Sequence, residues 1–396
     1  MKTVLFAAEL GAGLGHAVPL LRIADALRAL LRPRGEENIR AVFILHDHQV
    51  IRDQMASGDL ALSAPRPVSH GDIRSHTASY AEILALSGFA RKADIEAGLM
   101  AWDDLFELIK PSALVADHSP VAVLAARGRV PTLVTGNAFN APPARIKQYP
   151  ALVAHADAPP IQTTMLKSVN EILLGRGEKE ISHLPLFMEG DARAVFMLPM
   201  FDPYGPLRDT PLLGTYEDGI APLPLPETPR IFLYSHTHLP LAPKLVQAAV
   251  RSGLPISAYL SGTATETTLF LRRQGAEIFN TPPKLTDMLA RASVVVSHAG
   301  AGLSQAAFAA GRPQVVLPIH SESQMIARNL ERLGTALSFD QQGDELKPDQ
   351  LAEAIKTADT SVSIRRAAQQ QAAAVSRLAL PESPLATAAE ILRGLL

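Results

Sequence analysis

Residues 293–323 constrain the fold more than any other stretch of the chain. Three β-branched valines, residues 294–296, predict a buried strand. A turn with two glycines follows, then a predicted helix over residues 303–310 and a second strand over residues 314–317. This order places free backbone N–H groups at a helix N-terminus, where anions bind. The stretch therefore predicts an α/β fold with an anion site at the carboxyl end of a strand.

The turn and the start of the helix supply the candidate anion ligands. His298 stands at the mouth of the turn and favours a phosphate over a structural carboxylate. Gly300 and Gly302 let the backbone approach a ligand closely, although both could serve a tight turn alone. Ser304 adds a hydroxyl in the first turn of the helix.

A second loop, residues 320–324, follows the next predicted strand and should point the same way. Glu322 and Gln324 suit several sugar hydroxyls, because a carboxylate accepts hydrogen bonds and an amide both donates and accepts them. A solvated loop is the alternative for either residue.

The composition favours a two-domain protein of the cytoplasm. The 396 residues are 47% hydrophobic and 19% charged, which is enough for two domains with large cores. A net charge of −2 without a long basic run excludes a nucleic-acid footprint. The lack of cysteine excludes thiolate metal sites and thiol catalysis. No apolar run reaches the length of a membrane span, so we expect no integral membrane segment.

Alternating strands and helices divide the chain into two doubly wound halves, joined by the proline-dense segment 221–229. The first half opens with a strand over residues 3–8 and a loop over residues 9–17. Ligands of such sheets lie at the carboxyl ends of the strands. We therefore expect the loops that carry His16 and His298 to face one another across a cleft.

His16 is the candidate general base, because imidazole titrates near neutrality and can accept a proton from a hydroxyl. Its alternative is a turn histidine beside glycines. A base needs an orienting partner, and Asp117 ends a predicted strand that should neighbour the first one. A helix N-cap is the alternative for Asp117. The glycines before His16 do not match the dinucleotide-binding pattern G-x-G-x-x-G.

Two histidine pairs, in His46-Asp47-His48 and His236-Thr237-His238, raise the question of a metal site. Zinc needs further ligands, and the sequence places none beside either pair. There is also no D-x-D sequence to hold a divalent ion on a diphosphate. We therefore predict a site without metal, in which backbone dipoles and imidazole take up the charge of a leaving group.

Several motifs resemble those of the bacterial family 1 (UDP-glycosyltransferase-like) glycosyltransferases. GLGHAVPLLRIADAL, residues 13–27, is similar to their N-terminal signature G-H-x-x-P-L-L-x-L-A. SHAGAGLSQAAFAAGRPQVVLP, residues 297–318, resembles their donor-site signature, H-G-G-A-G-T-T followed by A-G-x-P. PIHSESQMIAR is similar to the stretch that follows it, and VADHSPVAVLAA resembles the strand end that supplies the aspartate of a His–Asp dyad.

The resemblance implies the GT-B fold, with two Rossmann-like parallel-sheet domains, and transfer of a sugar with inversion from a UDP- or TDP-sugar to an acceptor hydroxyl. It implies that His16 is the base and Asp117 its orienting partner. On the same basis the donor diphosphate would be bound by His298, Gly300, Ala301, Gly302 and Ser304, the donor sugar by Glu322, Ser323 and Gln324, and Thr237 would be a further donor contact. Leu303 stands where the family commonly has a hydroxyl, and Ser323 takes the place of the expected glutamine.

The family also implies a domain division. Residues 1–205 would bind the acceptor, residues 206–380 the nucleotide-sugar donor, and residues 381–396 would pack back on the first domain as a helix. We expect the nucleotide sugar as co-substrate, with no cofactor or metal, a small apolar acceptor because loops 141–185 are hydrophobic, and a monomer or homodimer. The alternatives are a sugar-nucleotide 2-epimerase of the same fold and a non-catalytic glycosyltransferase-like partner protein.

Overall fold

A computed structural model of the chain describes residues 1–11, 13–66, 77–152, 161–237, 239–262, 266–339 and 346–396. These residues form two compact units. The first unit is Met1–Tyr216 with Leu380–Leu396, and the second is Glu217–Ala379. No helix in the described ranges is long and apolar enough to cross a membrane.

A six-stranded sheet, parallel throughout, forms the centre of the first unit. In chain order the strands are β1 (Lys2–Ala8), β2 (Ile39–Leu45), β3 (Leu60–Ser63), β4 (Ala113–Asp117), β5 (Thr132–Asn137) and β6 (Ala192–Phe196). They lie side by side in the order β3-β2-β1-β4-β5-β6. The helices are α1 (Leu14–Leu31), α2 (Tyr80–Leu84), α3 (Lys92–Ile109), α4 (Pro120–Ala126) and α5 (Ile161–Gly175). The central strands are apolar along nearly their whole length because helices cover both faces of the sheet.

The second unit repeats this architecture. Its strands are β7 (Ile231–His236), β8 (Ile256–Ser261), β9 (Glu277–Phe279), β10 (Val294–Ser297), β11 (Gln314–Val316) and β12 (Ala336–Ser338), in the order β12-β11-β10-β7-β8-β9. Its helices are α6 (Ala242–Ser252), α7 (Glu266–Arg273), α8 (Leu285–Arg291), α9 (Ala301–Ala309), α10 (Ser321–Arg332), α11 (Pro348–Thr360) and α12 (Val362–Val375). Two parallel six-stranded sheets of this kind are the architecture that the sequence predicts.

The chain leaves the first unit after Tyr216, beyond the predicted boundary at residue 205. The intervening residues belong to the first unit because the Leu213 amide donates to the Val195 carbonyl at 2.8 Å and the Tyr216 ring stacks on Phe196. The chain returns at Leu380 and ends in α13 (Pro384–Arg393). This helix buries its apolar side in the core that α1 forms with the sheet.

The start of the proline-dense segment 221–229 is fixed to the second unit by a buried cation. Arg312 is 0% exposed, and its guanidinium donates to the carbonyls of Leu223, Pro224 and Leu289 at 3.1, 2.8 and 2.6 Å. Burial lowers the pKa of Arg312 from 12.5 to about 10. The segment is therefore part of the second unit where these bonds hold it, and not only a stiff connector.

Three helices begin earlier than the sequence analysis predicts. The loop over residues 9–17 ends at Gly13, whose φ of 75° lets α1 start at Leu14. Helix α9 starts at Ala301 and not at Leu303. Helix α10 starts at Ser321, within the predicted loop over residues 320–324, because His320 and Ser323 form a capping box.

Three elements lack a prediction altogether. Strands β3 and β12 have only four and three residues, too few for a periodic pattern. Helix α5 lies within residues 141–185, which the sequence analysis treats as loops.

Candidate active site

The strand order brings His16 and Asp117 to one point of the first sheet. The order reverses between β1 and β4, with β2 and β3 on one side and β5 and β6 on the other. Ligand crevices form at such a switch point, outside the carboxyl ends of the strands. His16 follows β1 in the first turn of α1, and Asp117 is the last residue of β4.

Nδ1 of His16 lies 3.1 Å from Oδ1 of Asp117. The Asp117 side chain is 1% exposed and that of His16 is 16% exposed, so the carboxylate is shielded while the imidazole reaches the surface. The distance permits a hydrogen bond, although the N–H does not point directly at the oxygen. Catalytic hydrogen bonds of this kind commonly tighten when the substrate binds.

Two glycines make room for the His16–Asp117 pair. A Cβ built on Gly11 would overlap the imidazole of His16. A Cβ built on Gly136, at the end of β5, would stand 2.6 Å from Oδ1 of Asp117. Gly136 also has a φ of 128°, a backbone conformation that residues other than glycine rarely adopt. A side chain at either position would displace one member of the pair.

Glu9 joins the loop after β1 to the loop after β4. Its carboxylate accepts hydrogen bonds from the amides of Val121 and Ala122, at 3.3 and 2.5 Å, in the first turn of α4. Its own amide donates to the hydroxyl of Ser119 at 2.9 Å. Glu9, and not Asp117, therefore serves the start of α4, which leaves the Asp117 carboxylate turned towards His16.

Glu9 is 1% exposed, and burial raises its pKa from 4.5 to about 8, outweighing the hydrogen bonds from the two backbone amides. The carboxyl group thus changes its protonation state close to neutral pH.

A second imidazole and a group of aromatic rings adjoin His16. The His118 ring lies 5.7 Å from the His16 ring and 5.8 Å from that of Tyr80, measured between centroids. Tyr80 also contacts Phe139 and Tyr149. Burial, and then the neighbouring His16, holds the pKa of His118 well below its usual value, so this imidazole stays neutral. These neighbours of His16 are therefore aromatic and uncharged.

The second sheet also has a switch point, between β7 and β10. His298 follows β10, and Ala299 turns the chain with a φ of 60°. Gly300 is the N-cap of α9, and a Cβ added to it would stand 3.1 Å from Nε2 of His298. The glycine thus lets the imidazole lie against the start of the helix.

The first turn of α9 presents its amides at this point. The first helical hydrogen bond runs from the amide of Ser304 to the carbonyl of Gly300 at 3.0 Å. The amides of Ala301 and Gly302 precede it and have no acceptor within the helix. Gly302 is exposed and has no neighbouring atom within 4 Å of an added Cβ. An anion can therefore approach these amides closely.

The hydroxyls of two residues predicted to contact the donor, Ser304 and Thr237, pack inside the second unit. Ser304 is 0% exposed, and its hydroxyl has no hydrogen-bond partner among the described residues. Thr237 follows β7 on the side of β8, where its hydroxyl packs against Gly262. Ser304 thus lies in the first turn of α9 with its hydroxyl buried, and Thr237 lies outside that turn.

The predicted loop over residues 320–324 is the first turn of α10. The Ser323 hydroxyl accepts from the amides of Ile319 and His320 at 2.9 and 3.0 Å and donates to the carbonyl of His320 at 2.8 Å. The structure thus gives Ser323 a capping role. Gln324 is 5% exposed, and Glu322 is the partly exposed member of the predicted sugar-binding group.

In the described part of the chain, no group of three or more histidine, aspartate or glutamate side chains is arranged to hold a metal ion. Nδ1 of His46 lies 3.2 Å from the carbonyl oxygen of Glu9, which can accept a hydrogen bond from it. His238, the second histidine of the other pair, lies outside the described residues.

Comparison with known proteins agrees with the architecture. Residues 281–388 match the family described as erythromycin biosynthesis protein CIII-like, C-terminal domain. The fold is similar to that of the calicheamicin glycosyltransferase CalG4, with 18% identity, a TM-score of 0.66 and coverage of 100% of this chain and 98% of the other. No curated protein sequence matches the chain.

Two further similar structures contain a nucleotide. The glycosyltransferase VinC, in complex with DTDP, has 17% identity, a TM-score of 0.59 and coverage of 100% and 99% of the two chains. The spinosyn rhamnosyltransferase SpnG, complexed with thymidine diphosphate, has 15% identity, a TM-score of 0.63 and full coverage of both chains. SpnG is also known in complex with the spinosyn aglycone. The chain has the two-domain GT-B fold of these glycosyltransferases.

The predicted GT-B fold is thus confirmed, while several residues around the candidate sites have no counterpart in the sequence analysis. Glu9 is one of them. Its position as a single carboxylate directly after an apolar strand could have indicated a functional or structural role. His118 follows Asp117 directly and could have been found in the same way. Tyr80 gives no sequence signal, because only the fold brings α2 to β4.

Proposed function

We propose that this protein is an inverting, metal-independent glycosyltransferase that moves a sugar from a TDP- or UDP-sugar to a hydroxyl of a small, apolar acceptor. The observation that carries the proposal is the contact of 3.1 Å between His16 and Asp117 at the switch point of the first sheet. A base oriented by a buried carboxylate is what activation of a hydroxyl requires.

The proposed reaction is a single displacement. Nδ1 of His16 lies beside Asp117. With the proton on Nδ1, the lone pair of Nε2 accepts the proton of the acceptor hydroxyl. The acceptor oxygen forms a bond to the anomeric carbon as the bond from that carbon to the diphosphate oxygen breaks. The diphosphate leaves with the electron pair, and attack from the opposite side inverts the anomeric carbon. Asp117 stabilises the imidazolium that results.

The second unit is proposed to bind the donor. The amides of Ala301 and Gly302, with His298 beside them, would stabilise the negative charge of the diphosphate. In other enzymes a divalent ion stabilises this charge. The nucleotides in the VinC and SpnG structures support thymidine diphosphate as the first donor nucleotide to test. The partly exposed Glu322, with Gln324 behind it, is proposed to bind the sugar.

The surroundings of His16 support an apolar acceptor. Tyr80, Tyr149 and Phe139 are buried in the first unit and form an aromatic group that continues from the His118 ring. No charged side chain belongs to this group, so an apolar molecule with one reactive hydroxyl fits the proposal best.

A thermal-shift panel with TDP, UDP and GDP is the first test. A nucleotide that binds the folded protein raises its melting temperature in order of affinity, and we expect TDP or UDP to give the largest rise. A flat response to all three would contradict the donor assignment. The sugar nucleotide of the best nucleotide is then incubated with a panel of apolar hydroxylated aglycones, with and without EDTA.

We expect a glycosylated product of inverted configuration and an equal rate with EDTA. Release of an altered sugar from the donor alone would identify an epimerase. Nucleotide binding without transfer to any aglycone would indicate a non-catalytic protein. Loss of transfer with EDTA, restored by a divalent ion, would remove the metal-independent part of the proposal.

A further inference from the structure

Glu9 is a buried carboxyl group that the proposed displacement does not use. It follows β1 directly, is 1% exposed and stands two residues before Gly11, whose backbone lies against the His16 imidazole. A buried carboxyl group is costly unless its oxygens are hydrogen-bonded. Both oxygens of Glu9 accept from the start of α4, at 2.5 Å from the Ala122 amide and 3.3 Å from the Val121 amide. The group therefore serves α4 and is not free to contact a substrate.

Two further hydrogen bonds connect the same two loops. The Glu9 amide donates to the Ser119 hydroxyl at 2.9 Å, and the Leu10 amide donates to the carbonyl of His118 at 3.2 Å. The Ser119 hydroxyl in turn donates to the carbonyl of Asp117 at 3.2 Å. Glu9 and Leu10 thus fasten the loop after β1 to the residues that follow Asp117.

The start of α4 depends on Glu9 because its own N-cap makes no side-chain hydrogen bond to the helix. Ser119 is this N-cap, so the amides of the first turn need an acceptor from another part of the chain. His118, the residue before it, has a φ of 47°, a left-handed conformation that is uncommon for a residue other than glycine. Such strain persists only where the surrounding structure determines the backbone. The hydrogen bonds from Glu9 and Leu10 do so here.

The two loops that Glu9 connects carry the His16–Asp117 pair. On one side, Asp117 ends β4 directly before His118. On the other side, Gly11 follows Leu10, and a Cβ built on Gly11 would overlap the ring of His16. A displacement of one loop against the other would therefore change the contact of 3.1 Å between Nδ1 of His16 and Oδ1 of Asp117.

We propose that Glu9 is the positioning residue of the His16–Asp117 pair: by joining the loop after β1 to the start of α4, it holds the imidazole against the carboxylate. Glu9 acts only through the geometry of this pair. The inference rests on the proposed glycosyltransferase function and adds a residue to the half that activates the acceptor. Displacement of a reacting group by about 1 Å can cost about a hundredfold in rate, so loss of this connection is measurable.

The first test observes His16 directly, without donor or acceptor. NMR spectra of the full chain with isotopically labelled histidine show which ring nitrogen carries the proton, and His16→Ala identifies the signals of His16. We expect the proton on Nδ1 in the wild type and a mixture of both forms in Glu9→Ala, because the imidazole loses its fixed contact with Asp117. Glu9→Gln should resemble the wild type. Burial raises the pKa of Glu9 to about 8, so a neutral glutamine with one acceptor oxygen matches the carboxyl group at neutral pH.

The second test compares turnover with that of a control variant of similar chemistry. Asp59 also has a buried carboxylate, 3% exposed, which accepts from the Ala41 amide at 3.0 Å. It lies at the amino ends of β2 and β3, the edge of the sheet opposite to His16. With TDP-glucose and the aglycone that the wild type converts fastest, Glu9→Ala should lower the turnover number about ten- to hundredfold and leave KM for TDP-glucose nearly unchanged. Glu9→Gln should recover turnover, and Asp59→Ala should lower the melting temperature but keep turnover.

A double-variant cycle separates positioning of the pair from any other effect of Glu9. In Asp117→Asn the pair is already disrupted, so adding Glu9→Ala should lower turnover little further, since both changes act through His16. Full additivity of the two losses would mean that Glu9 acts elsewhere.

Two other outcomes would overturn the inference. One is a Glu9→Ala protein in which the His16 proton and the turnover number are as in the wild type. The other is an equal loss of turnover in Glu9→Ala and Asp59→Ala, which would make Glu9 a structural residue only. A wild type that transfers sugar to no aglycone fails at the proposed function instead, and the histidine spectra then still decide whether Glu9 positions His16.

Discussion

Gly11 lies so close to the imidazole of His16 that even a methyl group at position 11 would overlap the ring. The backbone at Gly11 and the carboxylate of Asp117 thus define the position of His16, the proposed base, from two sides. Because imidazole must keep this position to accept a proton from the acceptor, a change at Gly11 acts on the chemistry without touching the base itself.

Gly11→Ala should lower the turnover number about a hundredfold, close to the lower limit for loss of a general base. TDP affinity should stay within twofold of wild type, since the change is in the first unit. Gly15→Ala is the matched control, because an added Cβ there meets nothing within 4 Å. Steady-state kinetics and TDP titration measure both. Equal turnover for the two variants would mean that displacement of the His16 imidazole does not affect catalysis.

Asp117→Asn tests the orienting role separately from the base. Asparagine has the shape of aspartate, but its amide can donate to Nδ1 and so favour the tautomer with the proton on Nε2, which cannot accept one. We expect turnover to fall at least about a hundredfold, with the melting temperature nearly unchanged. A large fall in melting temperature with turnover retained in the remaining folded protein would make Asp117 a structural residue.

The raised pKa of Glu9 predicts that the stability of the protein depends on pH. Its folded pKa of about 8 exceeds the ordinary value of 4.5, so the folded state holds this proton more tightly than the unfolded state. The contribution to stability is complete below pH 4.5 and is lost as pH rises towards 8. Glu9→Gln cannot ionise, so its free energy of unfolding should rise relative to wild type by up to about 1.4 kcal/mol per pH unit in that window.

Urea unfolding at several pH values between 5 and 8 measures this difference. Glu107→Gln, an exposed carboxylate on α3, is the control and should follow the wild-type curve. Parallel curves for Glu9→Gln and wild type would show that the buried carboxyl does not titrate in this range.

Arg312→Met should destabilise the second unit by about 3 kcal/mol or more. Methionine fills much of the volume, but the carbonyls of Leu223, Pro224 and Leu289 lose their donor inside the protein. The loss should be smaller for Arg312→Lys, which keeps a charge and can reach some of the carbonyls. Thermal unfolding of both variants measures the effect, and a Met variant as stable as wild type would mean that water replaces the guanidinium.

Much of this architecture could be predicted from the sequence because buried parallel strands are continuous apolar runs. The predicted strand that ends at Asp117 and the predicted valine strand both occur in the structure, as Ala113–Asp117 and Val294–Ser297. The candidate anion site at the start of α9 could be predicted from its glycines and His298. The helix starts could not, since Gly13 and the capping box of Ser323 depend on backbone geometry that residue types do not determine alone.

The surroundings of the sites were harder to predict for a different reason. Tyr80 reaches the His16 region only because α2 packs there, and no local pattern encodes that contact. The sequence analysis considered His236 only as a possible metal ligand together with His238. Its position beside the ring of His298 depends on the pairing of β7 with β10, which sequence order conceals because β8 and β9 lie between them in the chain.

The turnover number of His16→Ala, measured with the best donor and acceptor, tests the central claim most directly. The proposed mechanism predicts a fall of about 10²- to 10⁴-fold with TDP affinity and melting temperature unchanged. Near-normal turnover of a folded His16→Ala protein would contradict the assignment of His16 as the base.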